Sequence, residues 1–371
     1  MPSVRVGVIG VTGGVGRTLV KQLQAQAPWL ASRGVNFEIS SVANSKKMAF
    51  QVPSTDRLDW SSLLQQGEPL DTQSFLDSMK PRDSDQHCLV FDCSASEAVA
   101  QLYLGALHSG IHVITPNKRL TSAPLEYCKA VQQAQWHCPN GSPRPHGQAK
   151  RVLYEAAVGA GLPIITTLQD LLSSGDEVQS IQGILSGTLS HLFNSYGPGQ
   201  SFARLVQDAR AQGYTEPDPR DDLCGMDVAR KVLTLARECG VAMELGDVQV
   251  ESLIPADMPA EMSSEEFLTS FSQYDSVMQH RLEQAAAANR VLRYVGCVDI
   301  PNRTCSVALQ EFPQDHPFAQ LSGTDNIVSF HTRRYSPQPL TIRGPGAGLE
   351  VTAAGVFGDF LRLLRSLGYA V

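Results

Sequence analysis

An acid and an ammonium lie four residues apart at the end of one short stretch of the chain, Asp227 and Lys231 of Gly213–Lys231 (GYTEPDPRDDLCGMDVARK). The stretch holds five carboxylates, Glu216, Asp218, Asp221, Asp222 and Asp227, against Arg220, Arg230 and Lys231. Pro217 and Pro219 exclude a helix through its first part, because proline lacks an amide donor and restricts the residue before it. Asp221 or Asp222 is placed to cap the helix that follows, whose first turn tolerates negative charge. In that helix Val228, Val232, Leu235 and Cys239 recur on one face, which predicts burial. Asp227 and Lys231 share a neighbouring face. As an isolated helical ion pair they would contribute only about 0.3 kcal/mol. Crowded carboxylates repel one another unless a cation or an ammonium ligand sits among them. The pattern therefore suits proton transfer and the binding of a small zwitterion.

A second constellation opens the chain. Val4–Ile9 reads as a buried strand, Gly10-Val11-Thr12-Gly13-Gly14-Val15-Gly16 as a turn, and the residues from Arg17 as a helix. Strand, glycine turn and helix form the context of a dinucleotide fingerprint: glycines admit the pyrophosphate and the helix start offers N–H donors. The spacing is GxxGxxG rather than GxGxxG. A second strand, Phe37–Ala43, ends in Asn44-Ser45-Lys46-Lys47, where an NAD-selective site would carry an acid for the ribose hydroxyls. A hydroxyl and two lysines there favour a 2′-phosphate, so NADP(H) is expected ahead of NAD(H). Strands at Cys88–Cys93 and Ile111–Thr115 lead into Ser94 and Lys118, at strand ends where ligands of parallel sheets gather. One helix is expected over Glu97–Ser109.

These sites need two kinds of scaffold. The amino-terminal half reads as a Rossmann-type α/β dinucleotide-binding domain over 1–152. Strand-like alternation at Val291–Ile300, Thr304–Glu311, Asn326–Phe330 and Pro339–Arg343 predicts an α+β catalytic and dimerisation domain over 153–343. Residues 344–371 begin Gly344-Pro-Gly346-Ala-Gly348 and continue as a helix that must return to the first domain to bury its apolar side.

Composition narrows the class. With 371 residues, 42% hydrophobic and 18% charged, the chain is an ordinary globular protein of two or three domains. A net charge of −7 argues against a general nucleic-acid binder. Eight cysteines without a CxxC pair predict reduced thiols and a cytoplasmic setting, and nine scattered histidines predict no zinc site. The apolar run from Val4 predicts no targeting peptide, and no stretch is long enough to predict a membrane span.

Five segments carry a family resemblance: Thr115–Lys118 (TPNK), Glu155–Pro163 (EAAVGAGLP), Ser186–Asn194 (SGTLSHLFN), Gly213–Lys231 and Gly344–Gly355 (GPGAGLEVTAAG). In these the chain resembles homoserine dehydrogenase in its short form, without a fused aspartate kinase or regulatory domain. The resemblance implies reversible reduction of L-aspartate 4-semialdehyde to L-homoserine with NADPH or NADH, in threonine, methionine and isoleucine biosynthesis, by a homodimer. It implies that Lys231 exchanges the proton at the substrate oxygen, with Asp227 beside it. It gives Glu216, Asp221, Asp222, Gly187 and Thr188 to the substrate, and places Lys118 between substrate and cofactor. It adds Gly346, Gly348 and Thr352 to the cofactor residues. It assigns a monovalent cation, sodium or potassium, to Glu155, Val158, Ala160 and Leu162. Two departures stand out: Thr12 with the extra Gly14, a loop like that of aspartate-semialdehyde dehydrogenases, and Cys224 where asparagine is common. The first keeps open an acylating semialdehyde dehydrogenase, which would need an activated cysteine. A catalytically silent cofactor sensor is the other alternative.

Overall fold

The computed structural model describes residues 4–50, 60–83, 86–145, 148–259 and 261–371. Two compact units divide the chain, Met1–Gly161 with Gly348–Val371 and Leu162–Ala347.

The first unit is built on a seven-stranded sheet ordered β4-β3-β2-β1-β5-β6-β7. Its strands are β1 (Val4–Ile9), β2 (Phe37–Ala43), β3 (Lys47–Phe50), β4 (Glu68–Pro69), β5 (His87–Asp92), β6 (Ile111–Ile114) and β7 (Val152–Leu153). β2, β1, β5, β6 and β7 run parallel, while β3 and β4 are antiparallel additions at one edge. Parallel strands covered on both faces read as continuous apolar runs, and every residue of β1 is buried. The helices are α1 (Gly14–Ala31), α2 (Trp60–Gln65), α3 (Thr72–Ser78), α4 (Glu97–Ala100), α5 (Tyr103–His108) and α6 (Leu125–Ala134). The single helix expected over Glu97–Ser109 is two, α4 and α5, interrupted at Gln101 and Leu102. The order in which strands are added reverses between the parallel β1 and β5, so the carboxyl ends of these two strands form the switch point of the sheet.

The second unit carries α7 (Ile164–Ser173), β8 (Val178–Ile184), α8 (Gly187–Ser195), α9 (Phe202–Ala211), α10 (Arg220–Leu223) and α11 (Met226–Glu238). It continues through β9 (Gln249–Val250), α12 (Ser264–Phe271), α13 (Asp275–Ala287), β10 (Arg290–Asp299), β11 (Thr304–Pro313), β12 (Asp325–Thr332) and β13 (Leu340–Pro345). The sheet order is β13-β12-β8-β10-β11-β9, antiparallel except where β11 meets β9. The helix α11 lies directly on this sheet. A Cβ on Gly296 of β10 would come within 2.4 Å of Val232 and 3.2 Å of Val228. Val228, Val232 and Leu235 are each 1% exposed. Burying each such side chain stabilises by about 1.5–3 kcal/mol. Cys239, expected on the same face, is instead the half-buried residue that ends the helix.

The last helix, α14 (Leu349–Ser366), belongs to the first unit, where it lies along α1. Phe360 is fully buried, 6.0 Å from the ring of Phe37 and 5.6 Å from that of Phe91. These contacts supply the apolar cover that an isolated helix lacks.

Candidate functional site

In the first unit the turn Gly10–Gly16 follows β1 and opens α1. Gly10 has φ +79, and a Cβ there would lie 2.9 Å from the backbone of Cys93. A Cβ on Gly16 would approach the Gly10 carbonyl oxygen to 2.2 Å. Both positions therefore require glycine, one for conformation and one for space. Gly13 caps α1 with no side-chain hydrogen bond, and the first turn holds no acid. The helix start thus keeps its N–H donors and its positive end for an anion. Gly13 and Gly14 are exposed, and Thr12 and Val15 are half-buried.

The turn after β2 is tight. Asn44 Oδ1 accepts from the backbone N–H groups of Lys46 and Lys47, at 2.8 Å each. Ser45 and Lys46 are exposed, whereas Lys47 Nζ donates to the Gln65 carbonyl at 2.8 Å. The two lysines are therefore not equivalent.

At the ends of β5 and β6 stands a buried polar network that sequence reasoning missed. Asp92 is 0% exposed. Its Oδ1 accepts from Ser94 N (2.9 Å) and Ser94 Oγ (2.6 Å). Its Oδ2 accepts from Tyr103 OH (2.5 Å) and Asn117 Nδ2 (3.1 Å). Burial pushes this carboxyl up, and the donors from Ser94, Tyr103 and Asn117 pull it back. Thr115 Oγ1 donates to the Asp92 carbonyl and accepts from Asn117 N. The only sequence signal was an acid at the last position of an otherwise apolar strand. Lys118 follows Asn117 and is half-buried. Cys93, next to the glycine turn, has its thiol pushed up by burial, with the Asp92 charge adding to it. An activated thiolate requires the opposite shift, so the cysteine needed by the acylating alternative is not found at this position.

Glu155 is 3% exposed. Its carboxylate lies 3.4 Å from Arg362 Nη1, and its backbone N–H donates to Asp359 of α14 at 2.9 Å. Arg362 also pairs with Asp359 at 2.8 Å. Gly159 (φ +74) and Ala160 (φ +55) turn the chain in consecutive left-handed conformations, and Val158 is fully buried. Among the described residues no group of three or more His, Cys, Asp or Glu converges as a metal site. Gly348 closes the first unit's set. Its carbonyl accepts from both the N–H and the hydroxyl of Thr352, at 3.0 and 2.7 Å.

In the second unit Lys231 and Asp227 meet on α11. Lys231 is 7% exposed; its Nζ lies 2.8 Å from Asp227 Oδ2 and donates to the Leu185 carbonyl at 2.6 Å. The helix begins after Gly225, at φ +74, where a Cβ would overlap Tyr294 OH at 2.1 Å. Neither Asp221 nor Asp222 caps this helix, contrary to expectation. Both lie inside the four-residue α10, which follows Pro219. Asp222 accepts from Thr188 Oγ1 and from Glu216 N, each at 2.8 Å. Burial raises its pKa against those two bonds, with Glu216 and Asp227 adding repulsion. Thr188 Oγ1 is also 2.7 Å from the Tyr214 carbonyl, and its one proton serves one acceptor at a time.

Glu216 and Asp221 are exposed. The expected crowding of charge is partly relieved within the protein. Arg220 pairs with both oxygens of Asp218, holding that carboxyl below its ordinary range, and Lys231 faces Asp227. Gly187 begins α8, with the Thr324 carbonyl 3.4 Å from where a Cβ would sit. Gly346 packs on Asn326, which a Cβ would reach at 1.9 Å. Leu162 accepts from Ile164 N at 2.8 Å.

A parallel sheet with a glycine turn at its switch point, and a second sheet unit carrying a buried lysine beside a partly exposed aspartate, fit the class of dinucleotide-binding oxidoreductases. Comparison with known proteins narrows the class. The model of the homoserine dehydrogenase family matches residues 163–361, and that of the homoserine dehydrogenase NAD-binding domain matches residues 12–137. A chloroplastic bifunctional aspartokinase/homoserine dehydrogenase 2 of Zea mays is 44% identical over 98% of this chain and 39% of its own length. The chain therefore spans well under half of that bifunctional relative. A homoserine dehydrogenase of Schizosaccharomyces pombe is 37% identical, over 98% of this chain and 96% of its own. A crystal structure of a Candida auris protein of unknown function superposes with a TM-score of 0.85 at 34% identity, over 98% of this chain and 99% of that one. A hyperthermophilic archaeal homoserine dehydrogenase mutant in complex with NADPH has a TM-score of 0.74 at 19% identity over 100% of both chains, a likeness of fold. The chain belongs to the homoserine dehydrogenase family.

Proposed function

We propose that this protein reduces L-aspartate 4-semialdehyde to L-homoserine, reversibly, in the biosynthesis of threonine and methionine, with NADP(H) preferred over NAD(H). The observation that carries the reading is the buried Lys231 ammonium, held between the Asp227 carboxylate and the Leu185 carbonyl. The uncapped, acid-free start of α1 and the glycines at positions 10 and 16 suit a dinucleotide pyrophosphate. The cofactor, when bound, supplies the hydride that turns aldehyde into alcohol. Lys231 gives the proton that the substrate oxygen takes up on reduction, and receives it back on oxidation. Asp227 and the Leu185 carbonyl orient that ammonium. Asp222, Glu216 and Asp221 receive the substrate's own ammonium, and Thr188, bonded to Asp222, fixes the carboxylate that does so. Ser94, Lys118, Gly348 and Thr352 complete the cofactor site, and exposed Lys46 reads the 2′-phosphate.

A sodium or potassium ion at the turn after Glu155 is part of the proposal. Because Arg362 engages the Glu155 carboxylate, the ion would rest on backbone carbonyls such as those of Val158 and Ala160. Eight free cysteines suit a reducing cytoplasm. No helix among the described residues is long and apolar enough to cross a membrane. We place a homodimer interface on the six-stranded sheet, whose edge strand β13 is exposed at alternate residues. The deciding assay follows NADPH oxidation with aspartate semialdehyde. Turnover is expected without added thiol or phosphate; turnover that needs phosphate and is abolished by thiol alkylation would instead support the acylating dehydrogenase.

A further inference from the structure

Two loops of the first unit leave neighbouring parallel strands and have to hold one geometry. One follows β5 and carries Ser94 and Ser96; the other follows β6 and carries Asn117 and Lys118. Each is tied to the same side chain. Asp92 Oδ1 takes both donors of Ser94, and Asp92 Oδ2 takes Asn117 Nδ2. Tyr103, 3% exposed, fixes the second oxygen from α5. The loops are then stitched to each other, since Asn117 Nδ2 also donates to the Ser96 carbonyl at 2.9 Å and Thr115 Oγ1 donates to the Asp92 carbonyl at 2.7 Å. A fully buried acid surrounded by these donors lies at the switch point of the sheet, where ligands of such sheets bind.

We infer that Asp92 is a positioning residue that locks the Ser94 and Lys118 loops into the arrangement that receives the dinucleotide. The inference rests on the proposed reading in which Ser94 and Lys118 contact the cofactor. Asp92 itself has no exposed surface and acts through the two loops. The chemistry at this position demands a carboxylate rather than any polar group of the same shape. An amide at 92 has one acceptor oxygen and one NH2. If the oxygen faces Ser94, the NH2 opposes the Asn117 NH2; if it faces Asn117, the NH2 opposes the Ser94 N–H. Either way donor meets donor and one loop is released.

The test measures NADPH dissociation constants by direct titration, with melting temperature, for wild type, Asp92→Asn and Asn117→Ala. Asp92→Asn is expected to weaken NADPH binding about tenfold, the scale of one lost hydrogen bond to a charged group. Asn117→Ala keeps the carboxylate but cuts one tether. It should weaken binding in the same direction, and it decides the matter if Asp92→Asn does not fold. A fall in melting temperature with unchanged NADPH affinity in the folded variants would reduce Asp92 to a packing role and overturn the inference. Wild type that binds NADPH but leaves aspartate semialdehyde unreduced would sink the substrate reading while the Asp92 comparison still stands. Wild type that binds no dinucleotide would sink both.

Discussion

Two helices of this protein each start from a glycine without a side-chain cap and, on the proposed reading, serve opposite uses. The helix α1 is entered from Gly13 in the extended region at φ −71, and α11 from Gly225 in the left-handed region at φ +74. Neither helix has a side-chain cap on its first N–H groups. The first turn of α1 contains no acid, so its positive end stays available to an anionic ligand. The first turn of α11 contains Asp227, which answers the helix end from within the protein and at the same time meets Lys231 one turn on. One helix start is made of backbone and waits for charge; the other is made of side chains and holds a proton. On the proposed reading an uncapped glycine start serves binding in one unit and chemistry in the other, and Asp227 is the first-turn acid that distinguishes them.

The contrast breaks most sharply at Lys231. Lys231→Ala is expected to lower turnover by about two to four orders of magnitude, the range for a positioned acid or base. NADPH affinity should hardly change. Near-normal turnover would remove this lysine from the chemistry, and a large loss of NADPH affinity would mean that the two helix starts are not separate in function.

The reverse disturbance is Gly16→Ala. The new methyl group would meet the Gly10 carbonyl, a backbone atom that cannot simply rotate away. NADPH affinity should fall about tenfold or more, with about 1–3 kcal/mol of lost stability from overpacking. At saturating NADPH the turnover should recover most of its wild-type value, which a turnover assay at rising cofactor concentration would reveal. A turnover that stays low at saturation would show that the α1 turn also shapes the chemical step.

A smaller effect sharpens what the α1 unit reads in its anion. Lys46→Ala should raise KM for NADPH about fivefold with little change for NADH, while Lys47→Ala, whose ammonium is already bound to the Gln65 carbonyl, should do less. Equal changes for both cofactors would show that neither lysine senses the 2′-phosphate.

The smallest effect is expected at Glu155. Activity against KCl and NaCl, at ionic strength held constant with a bulky organic cation, separates ion binding from screening. If a small cation sits on the backbone carbonyls, wild type should respond to it and Glu155→Ala should respond more weakly, through the lost grip of Arg362 on the turn. Identical responses of wild type and variant would remove the cation from this turn.

What the chain determined by itself is whatever depends on neighbours within about four residues. The spacing of Asp227 and Lys231 puts them on adjoining helix faces, and Val228, Val232 and Leu235 mark the side that must be buried, before any tertiary contact exists. The glycine turn between an apolar run and a helix is equally local, as are the family's segments. The tertiary structure decided everything that joins residues distant in sequence. Asp222, expected as a helix cap, instead accepts from Thr188, which lies on another helix. The ammonium of Lys231 finds the Leu185 carbonyl at the end of a strand, and the Glu155 carboxylate finds Arg362 from the terminal helix. Asp92 draws its partners from two loops and a helix. No periodicity encodes such pairings. They arise because sheet register and helix packing bring polar groups together out of water, where each must find a partner or cost the fold stability.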